Sequence, residues 1–246
     1  MPRTESLSRI DDLQEQIKSL PPLIEAEITS LRAYYKVKLT YSSNALEGNT
    51  LTESETKVVL EDGLTIGGRP LRDHLEAVGH AVAFDYVCSL QQGTGFSEQD
   101  ILTLHKLFFG KIQEEQAGVY RESRIFVTGS AHKFPSPEEV PTLMKEFVDQ
   151  APRWREQYHP VEYAARLHQQ LVAIHPFVDG NGRVARLLMN LALLQSGHLV
   201  IVIPPVLRSE YIETLETSHR HMMPFILFIC CCQIEAQNEY LRLLKD

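Results

Sequence analysis

Apolar residues recur along this chain at intervals of three and four, the spacing that puts one helix face against a core. Leu7, Ile10, Leu13 and Ile17 form the first stripe, within a charged stretch from about Ser6 to Lys18. Pro21 and Pro22 end it, since proline lacks the N–H a helix interior needs, and a second helix is expected from about Leu23 to Thr40. Thr52 and Glu55 make a capping-box pair opening a helix that closes at Asp62-Gly63. Beyond a glycine-containing loop, Leu75, Val78, Val82 and Tyr86 predict a helix from about Leu71 to Leu90, and Ser97 with Asp100 caps another to about Phe109.

The helical period then breaks. Ile125 to Thr128 reads as a strand, Gly129-Ser130 as a turn and His132 to Phe134 as a short return strand, a small β-hairpin within 118–136. Gly118-x-Tyr120-Arg121 leads into it and reads as structural. Ser136-Pro137-Glu138-Glu139 restarts a helix, to about Gln150, with serine as cap and proline in the first turn. Pro160 opens the next, whose Ala164, Leu167, Leu171 and Ile174 share a face and deliver His175 at its end. A helix with Leu187, Leu188, Leu191 and Leu194 follows and stops at Gly197; another begins at Arg208. The expected class is mainly α.

Composition adds limits. With 246 residues, 43% apolar and 23% charged, the chain suits one compact domain, alone or with an arm. A net charge of −8 argues against nucleic acid or a membrane surface as partner. No secretory leader is expected from Met1 to Ile10, and the most apolar stretch, Met222 to Cys232, is too short to span a bilayer. Cys88 and the run Cys230-Cys231-Cys232 have neither zinc-ligand nor disulfide-framework spacing; they read as packing residues in a reducing, cytoplasmic setting.

The chemistry concentrates between His175 and Arg186. Gly180 and Gly182 allow close backbone approach, and the following helix points unpaired N–H groups and its positive dipole end at the same spot. Arg183 and Arg186, three apart, share a helix face and suit phosphate oxygens. Asp179 is a hard oxygen ligand for a divalent cation, and His175 titrates near neutral pH. There is no GxxxxGK[ST], so this is not a Walker A loop.

His175 to Arg186 resembles the signature of the Fic family, HPFx(D/E)GNGRxxR, at every fixed position, and the likeness runs from about Tyr41 to about Ile229. The resemblance implies a Fic-type helical bundle with a β-hairpin flap over 118–136, and a protein adenylyltransferase moving AMP from Mg²⁺-ATP to a Ser, Thr or Tyr hydroxyl. It implies that His175 is the base and Asp179 holds Mg²⁺. Gly180, Asn181, Gly182 and Arg183 would cradle the anion while Arg186 takes the γ-phosphate. The flap turn, Thr128, Gly129, Ser130 and Ala131, is expected beside the nucleotide, with a target protein laid along the flap edge by strand addition. Tyr211 is expected to stack on adenine; an asparagine that relatives place near the adenosine is not matched, and His219 lies in that neighbourhood.

Ser43 to Asn49 further resembles the family's inhibitory motif, (S/T)xxxE(G/N), which implies that Glu47, aimed by Ser43, pairs with Arg186 and occupies the γ-phosphate position. The expected organisation is a helical arm over 1–40, able to pack on the core or on a second copy, and a Fic domain over 41–246. Transfer of another nucleoside monophosphate, removal of AMP from a modified protein and a non-catalytic nucleotide sensor are the alternatives.

Overall fold

The computed structural model describes residues 2–244; the outer limits of the two expected units, residues 1 and 246, lie outside the described residues. Its helices are α1 (Arg3–Lys18), α2 (Glu25–Ala45), α3 (Glu53–Lys57), α4 (Leu71–Ser89), α5 (Glu98–Phe109), α6 (Val140–Gln157), α7 (Pro160–Ile174), α8 (Asn181–Gln195), α9 (Arg208–Ser218) and α10 (Met223–Leu243). Helix α8 lies at the centre, because a helix that is apolar on nearly every side finds no solvent face. Twelve of its fifteen residues are buried. Helices α2, α4, α5 and α7 pack around α8, while α6 and α10 lie against α7.

The amino-terminal stripe is used within the chain. Helix α1 lies along α10 with Ile10 and Leu13 essentially inaccessible, a burial that contributes roughly 1.5–3 kcal/mol per side chain. Gln14 Nε2 donates to the carbonyl of Gly197, and Gln237 Nε2 donates to both Ile10 O and Gln14 Oε1. Arg3 closes the contact on Glu162 at 2.5 Å.

The expected boundary at residue 40 falls inside α2, which runs unbroken from Glu25 to Ala45. Ser42, Ser43 and Asn44 are poor helix formers because their side chains compete for backbone groups. Here those side chains are occupied elsewhere. Ser42 donates to the carbonyl of Ile203, Ser43 accepts from Arg186, and Asn44 returns to the carbonyl of Thr40. Helix α3 passes into a wider π-type turn over Val58–Asp62 that closes at Gly63, φ 66°. Helix α6 continues through Pro152 to Gln157 rather than ending near Gln150, its last turns held by Phe147 packing against Trp154 and by Arg155 donating to the Gln195 carbonyl.

The hairpin expected over 118–136 is corrected by the structure: no strand occurs among the described residues. Gly129, φ 85°, makes the turn, with Ser130 N bonded to Val127 O. The return arm does not pair with the outgoing one, because its polar groups are taken by helices. Glu216 of α9 accepts from Ser130 Oγ (2.8 Å) and Ala131 N (2.7 Å). His132 bonds the Ala173 carbonyl and stacks on His219, ring centroids 3.7 Å apart.

Helices α4 and α5 approach unusually closely at Gly79, where a Cβ would overlap the carbonyl oxygen of Phe108 and stand 3.0 Å from its carbonyl carbon. Gly79→Ala is therefore expected to lower the unfolding free energy by about 1–3 kcal/mol. At an open helix site the same change would raise it by up to about 1 kcal/mol. Urea denaturation of the two proteins decides the sign.

Candidate active site

The loop between α7 and α8 is held from several sides. His175 ends α7 in the left-handed region (φ 52°, ψ 60°), and among the described residues no other non-glycine has positive φ. That conformation is costly, of order 1–3 kcal/mol, and persists only where neighbours enforce it. Arg121 does so: it is buried, with Nε on the His175 carbonyl (2.8 Å), Nη1 on Ser123 O, Nη2 on Pro135 O, and its N–H on Pro176 O. One guanidinium thus fastens both ends of the 123–135 segment to the loop, the structural part expected of Arg121. Phe134 packs edge-on against the His175 ring at 4.9 Å. Burial, helped by the charge of Arg121, lowers the imidazole pKa to about 4, so the ring is neutral at pH 7.

Asn181 turns its side chain onto the loop. Its Oδ1 accepts from Phe177 N and its Nδ2 donates to Phe177 O, both at 2.9 Å, so its buried side chain locks the loop rather than facing an anion. Phe177 is sandwiched by His105, centroids 3.8 Å apart and nearly parallel, and His105 bridges Gly118 N and the Asp179 carbonyl. The first intrahelical bond of α8 is Val184 N to Gly180 O. The N–H groups of Asn181, Gly182 and Arg183 therefore stand at the positive end of the helix, where an anion is favoured. Gly180, φ 79°, lies so close to Phe108 that a Cβ would stand 2.9 Å from its ring.

Arg186 is buried, and each of its three side-chain nitrogens is hydrogen-bonded. Its Nε donates to Ser43 Oγ (2.9 Å), Nη2 to Ser43 O (2.9 Å) and Glu47 Oε1 (2.7 Å), and Nη1 to Tyr211 Oη (3.0 Å). Burial works against both charges. Arg186 and Arg183 nonetheless hold the Glu47 carboxyl below its ordinary range, and Tyr211 and Glu47 keep Arg186 protonated. Gly182 makes room: a Cβ there would overlap Glu47 Oε1 and stand 3.0 Å from Arg186 Nη1. Tyr211 is corrected here. It is a core residue whose hydroxyl accepts from Arg186 and lies 2.9 Å from His168 Nε2, so its ring is not open to a base.

Asp179 is half-exposed and paired on both oxygens, Oδ1 with Gly180 N (2.6 Å) and Arg183 Nη2 (3.1 Å), Oδ2 with Arg72 Nη2 (2.6 Å). Burial raises its pKa, but Arg183, Gly180 N–H and Arg72 outweigh that and keep it ionised. Glu76, 8% exposed, lies 3.0 Å from both Arg72 Nε and Arg183 Nη1. Arg183 also lies over the Phe108 ring at 4.4 Å. Arg72, Glu76, His105 and Glu216 carry no signal in the sequence; an Arg–Glu pair four apart on a helix is an ordinary surface pattern.

A family model described as Fic/DOC matches residues 95–193. A Fic domain containing signaling protein from Bacteroides thetaiotaomicron superposes with TM-score 0.86 at 31% identity, over 94% of this chain and 95% of that one. The chain belongs to the Fic/DOC family. Fic-1 from C. elegans superposes with TM-score 0.88 at 29% identity, over 98% of this chain and 72% of that one. A Nematostella vectensis relative named protein adenylyltransferase Fic is 36% identical over 96% of this chain and 56% of its own length. The chain spans about half the length of the curated relatives it matches.

Within this Fic/DOC chain the structure brings His175, Asp179, Gly180, Gly182, Arg183 and Arg186 to one loop and helix start, and sets Ser43 and Glu47 against them. Thr128 and Gly129 stay exposed at the turn tip, whereas Ser130 and Ala131 are spent on Glu216. Because Asn181 satisfies two buried backbone groups at once, Asn181→Ala is expected to reduce unfolding free energy by roughly 2–4 kcal/mol. Chemical denaturation measures it, and a loss below about 1 kcal/mol would contradict the locking role.

Proposed function

We propose that this chain is an auto-inhibited protein adenylyltransferase that joins AMP from ATP to a Ser, Thr or Tyr hydroxyl of another protein. The observation that carries the reading is the pairing of Glu47 with Arg186 over Gly182, beside a neutral His175. The names of the curated relatives support it. In the reaction a target hydroxyl attacks the α-phosphorus, the bond to the bridging oxygen breaks, and pyrophosphate leaves. His175 takes the hydroxyl proton on its unprotonated nitrogen. The N–H groups at the start of α8 and the guanidinium of Arg183 stabilise the charge on the phosphates.

Asp179 suits Mg²⁺. It is an ionised, half-exposed carboxylate, and among the described residues no group of three or more His, Cys, Asp or Glu could form an all-protein cage. Mg²⁺ is commonly held by one or two carboxylates plus substrate phosphates. Bound there it would neutralise phosphate charge.

Glu47 blocks this arrangement by occupying the guanidinium a γ-phosphate needs and by repelling the triphosphate. The target is proposed to lie along 124–126, where the backbone makes no hydrogen bond among the described residues and Phe126 is 93% exposed. The unpaired thiols Cys88, Cys230, Cys231 and Cys232 suit a reducing, cytoplasmic setting.

Two outcomes are expected. With ATP labelled at the α-phosphate, Glu47→Gly should increase protein labelling by roughly a hundredfold, the scale of correcting a misplaced reactant. His175→Ala in that background should abolish the labelling, and equal, negligible labelling of wild type and Glu47→Gly would count against the reading. The second outcome concerns pH. Glu47 raises the His175 pKa, so its removal moves the value further down from about 4, and the base stays unprotonated. The rate of the Glu47→Gly protein should therefore be flat on the acid side, from about pH 8 down to about pH 6. A fall centred near the ordinary histidine value of 6.5 would contradict the burial of this ring.

A further inference from the structure

Arg72 stands on the one side of Asp179 that a cation would approach. Asp179 Oδ1 already accepts from Gly180 N and Arg183 Nη2, whereas among the described residues Oδ2 accepts only from Arg72 Nη2, at 2.6 Å. Arg72 is itself one side of a closed ring. Its Nε bonds Glu76 Oε1, that oxygen lies 3.0 Å from Arg183 Nη1, and Arg183 returns to Asp179. Two carboxylates and two guanidiniums balance in charge. The two arginines differ in freedom. Arg183 is 3% exposed and covered by Phe108, but the Arg72 side chain is 55% exposed. Arg72 can therefore leave Oδ2 for water while keeping its bond to Glu76; Arg183 cannot.

The geometry points to Arg72 as a positioning residue that acts as an internal stand-in for the divalent cation: it aims Asp179 at the phosphate site and is exchanged for the metal when the nucleotide arrives. This rests on the reading of Asp179 given above. A guanidinium is a sensible placeholder, because it satisfies a carboxylate without adding a ligand that must be expelled from the protein. It follows that Arg72 competes with the metal. Its removal should tighten metal binding even though it breaks two ion pairs, which is the opposite of what a purely structural arginine would do.

The test uses the full chain carrying Glu47→Gly, with ADP present and Mn²⁺ as the probe, free Mn²⁺ being read by its electron paramagnetic resonance signal. Adding Arg72→Gln should lower the Mn²⁺ dissociation constant about twofold to fivefold, the scale of losing a half-exposed ion pair as competitor. Adding Asp179→Asn should abolish Mn²⁺ binding. If Arg72→Gln leaves Mn²⁺ affinity unchanged or weakens it while Asp179→Asn abolishes binding, the stand-in role is wrong and the metal site survives. If Asp179→Asn binds Mn²⁺ as tightly as its parent, the metal site itself is misplaced and both readings fall. A melting temperature for each variant identifies any that fails to fold, and Arg72→Lys then replaces Arg72→Gln, its shorter contact expected to shift affinity in the same direction.

Discussion

A guanidinium buried in the middle of a protein needs a partner for each of its nitrogens, and Arg186 organises this structure around that requirement. Stripping water from such a charge costs several kcal/mol unless the surroundings replace it. Two oxygens of Ser43, one of Glu47 and the hydroxyl of Tyr211 do so, drawing α2 and α9 onto α8 at one point. Only the Glu47 contribution is charged, and only Glu47 is partly open to solvent, at 36%. Its departure would leave Arg186 with neutral partners and unbalanced positive charge, which describes an anion site. Pairing with Glu47 and pairing with an anion in its place are thus alternative ways of satisfying a single cation.

The end of α2 is placed accordingly. A carboxylate just past the end of a helix, as Glu47 is after Ala45, opposes the macrodipole and is a poor local choice. Here the carbonyls that would repel it are met by other groups: Arg208 Nε donates to Leu46 O, and Gly48, φ 95°, turns the chain away. Asn49 then fastens that turn to α4 through the Asp73 carbonyl and Glu76 Oε2. Glu76 is also a member of the ring around Asp179. The segment that holds Glu47 and the residues around Asp179 therefore share a buried carboxylate, a direct physical link between the two halves of the site.

The segment over 118–136 shows how tertiary partners override local pattern. Its alternation suits a hairpin, but a two-stranded ribbon alone is only marginally stable in water. Glu216, His219 and the Ala173 carbonyl offer the return arm fixed partners on helices already held by the core. The outgoing arm is left with Phe126 exposed and, among the described residues, no hydrogen bond to the backbone of 124–126.

Most helices were legible from periodicity and caps, because a stripe of leucines and a Ser or Thr three residues before an acid are local facts. The same holds for His175, Asp179, Gly180, Gly182, Arg183 and Arg186, which one loop and one helix turn hold together whatever surrounds them. Glu47 was legible only by its likeness to a family motif, since no local rule joins it to an arginine 139 residues away. What lies between elements was settled by packing alone. Burial decided that Tyr211 serves Arg186 and not a base, and that the Asn181 amide serves the loop backbone. The crossing of α4 over the signature loop brought Arg72 to Asp179. Short-range order follows from spacing, whereas partners distant in the chain depend on which helices meet, and that is determined by how the whole core closes.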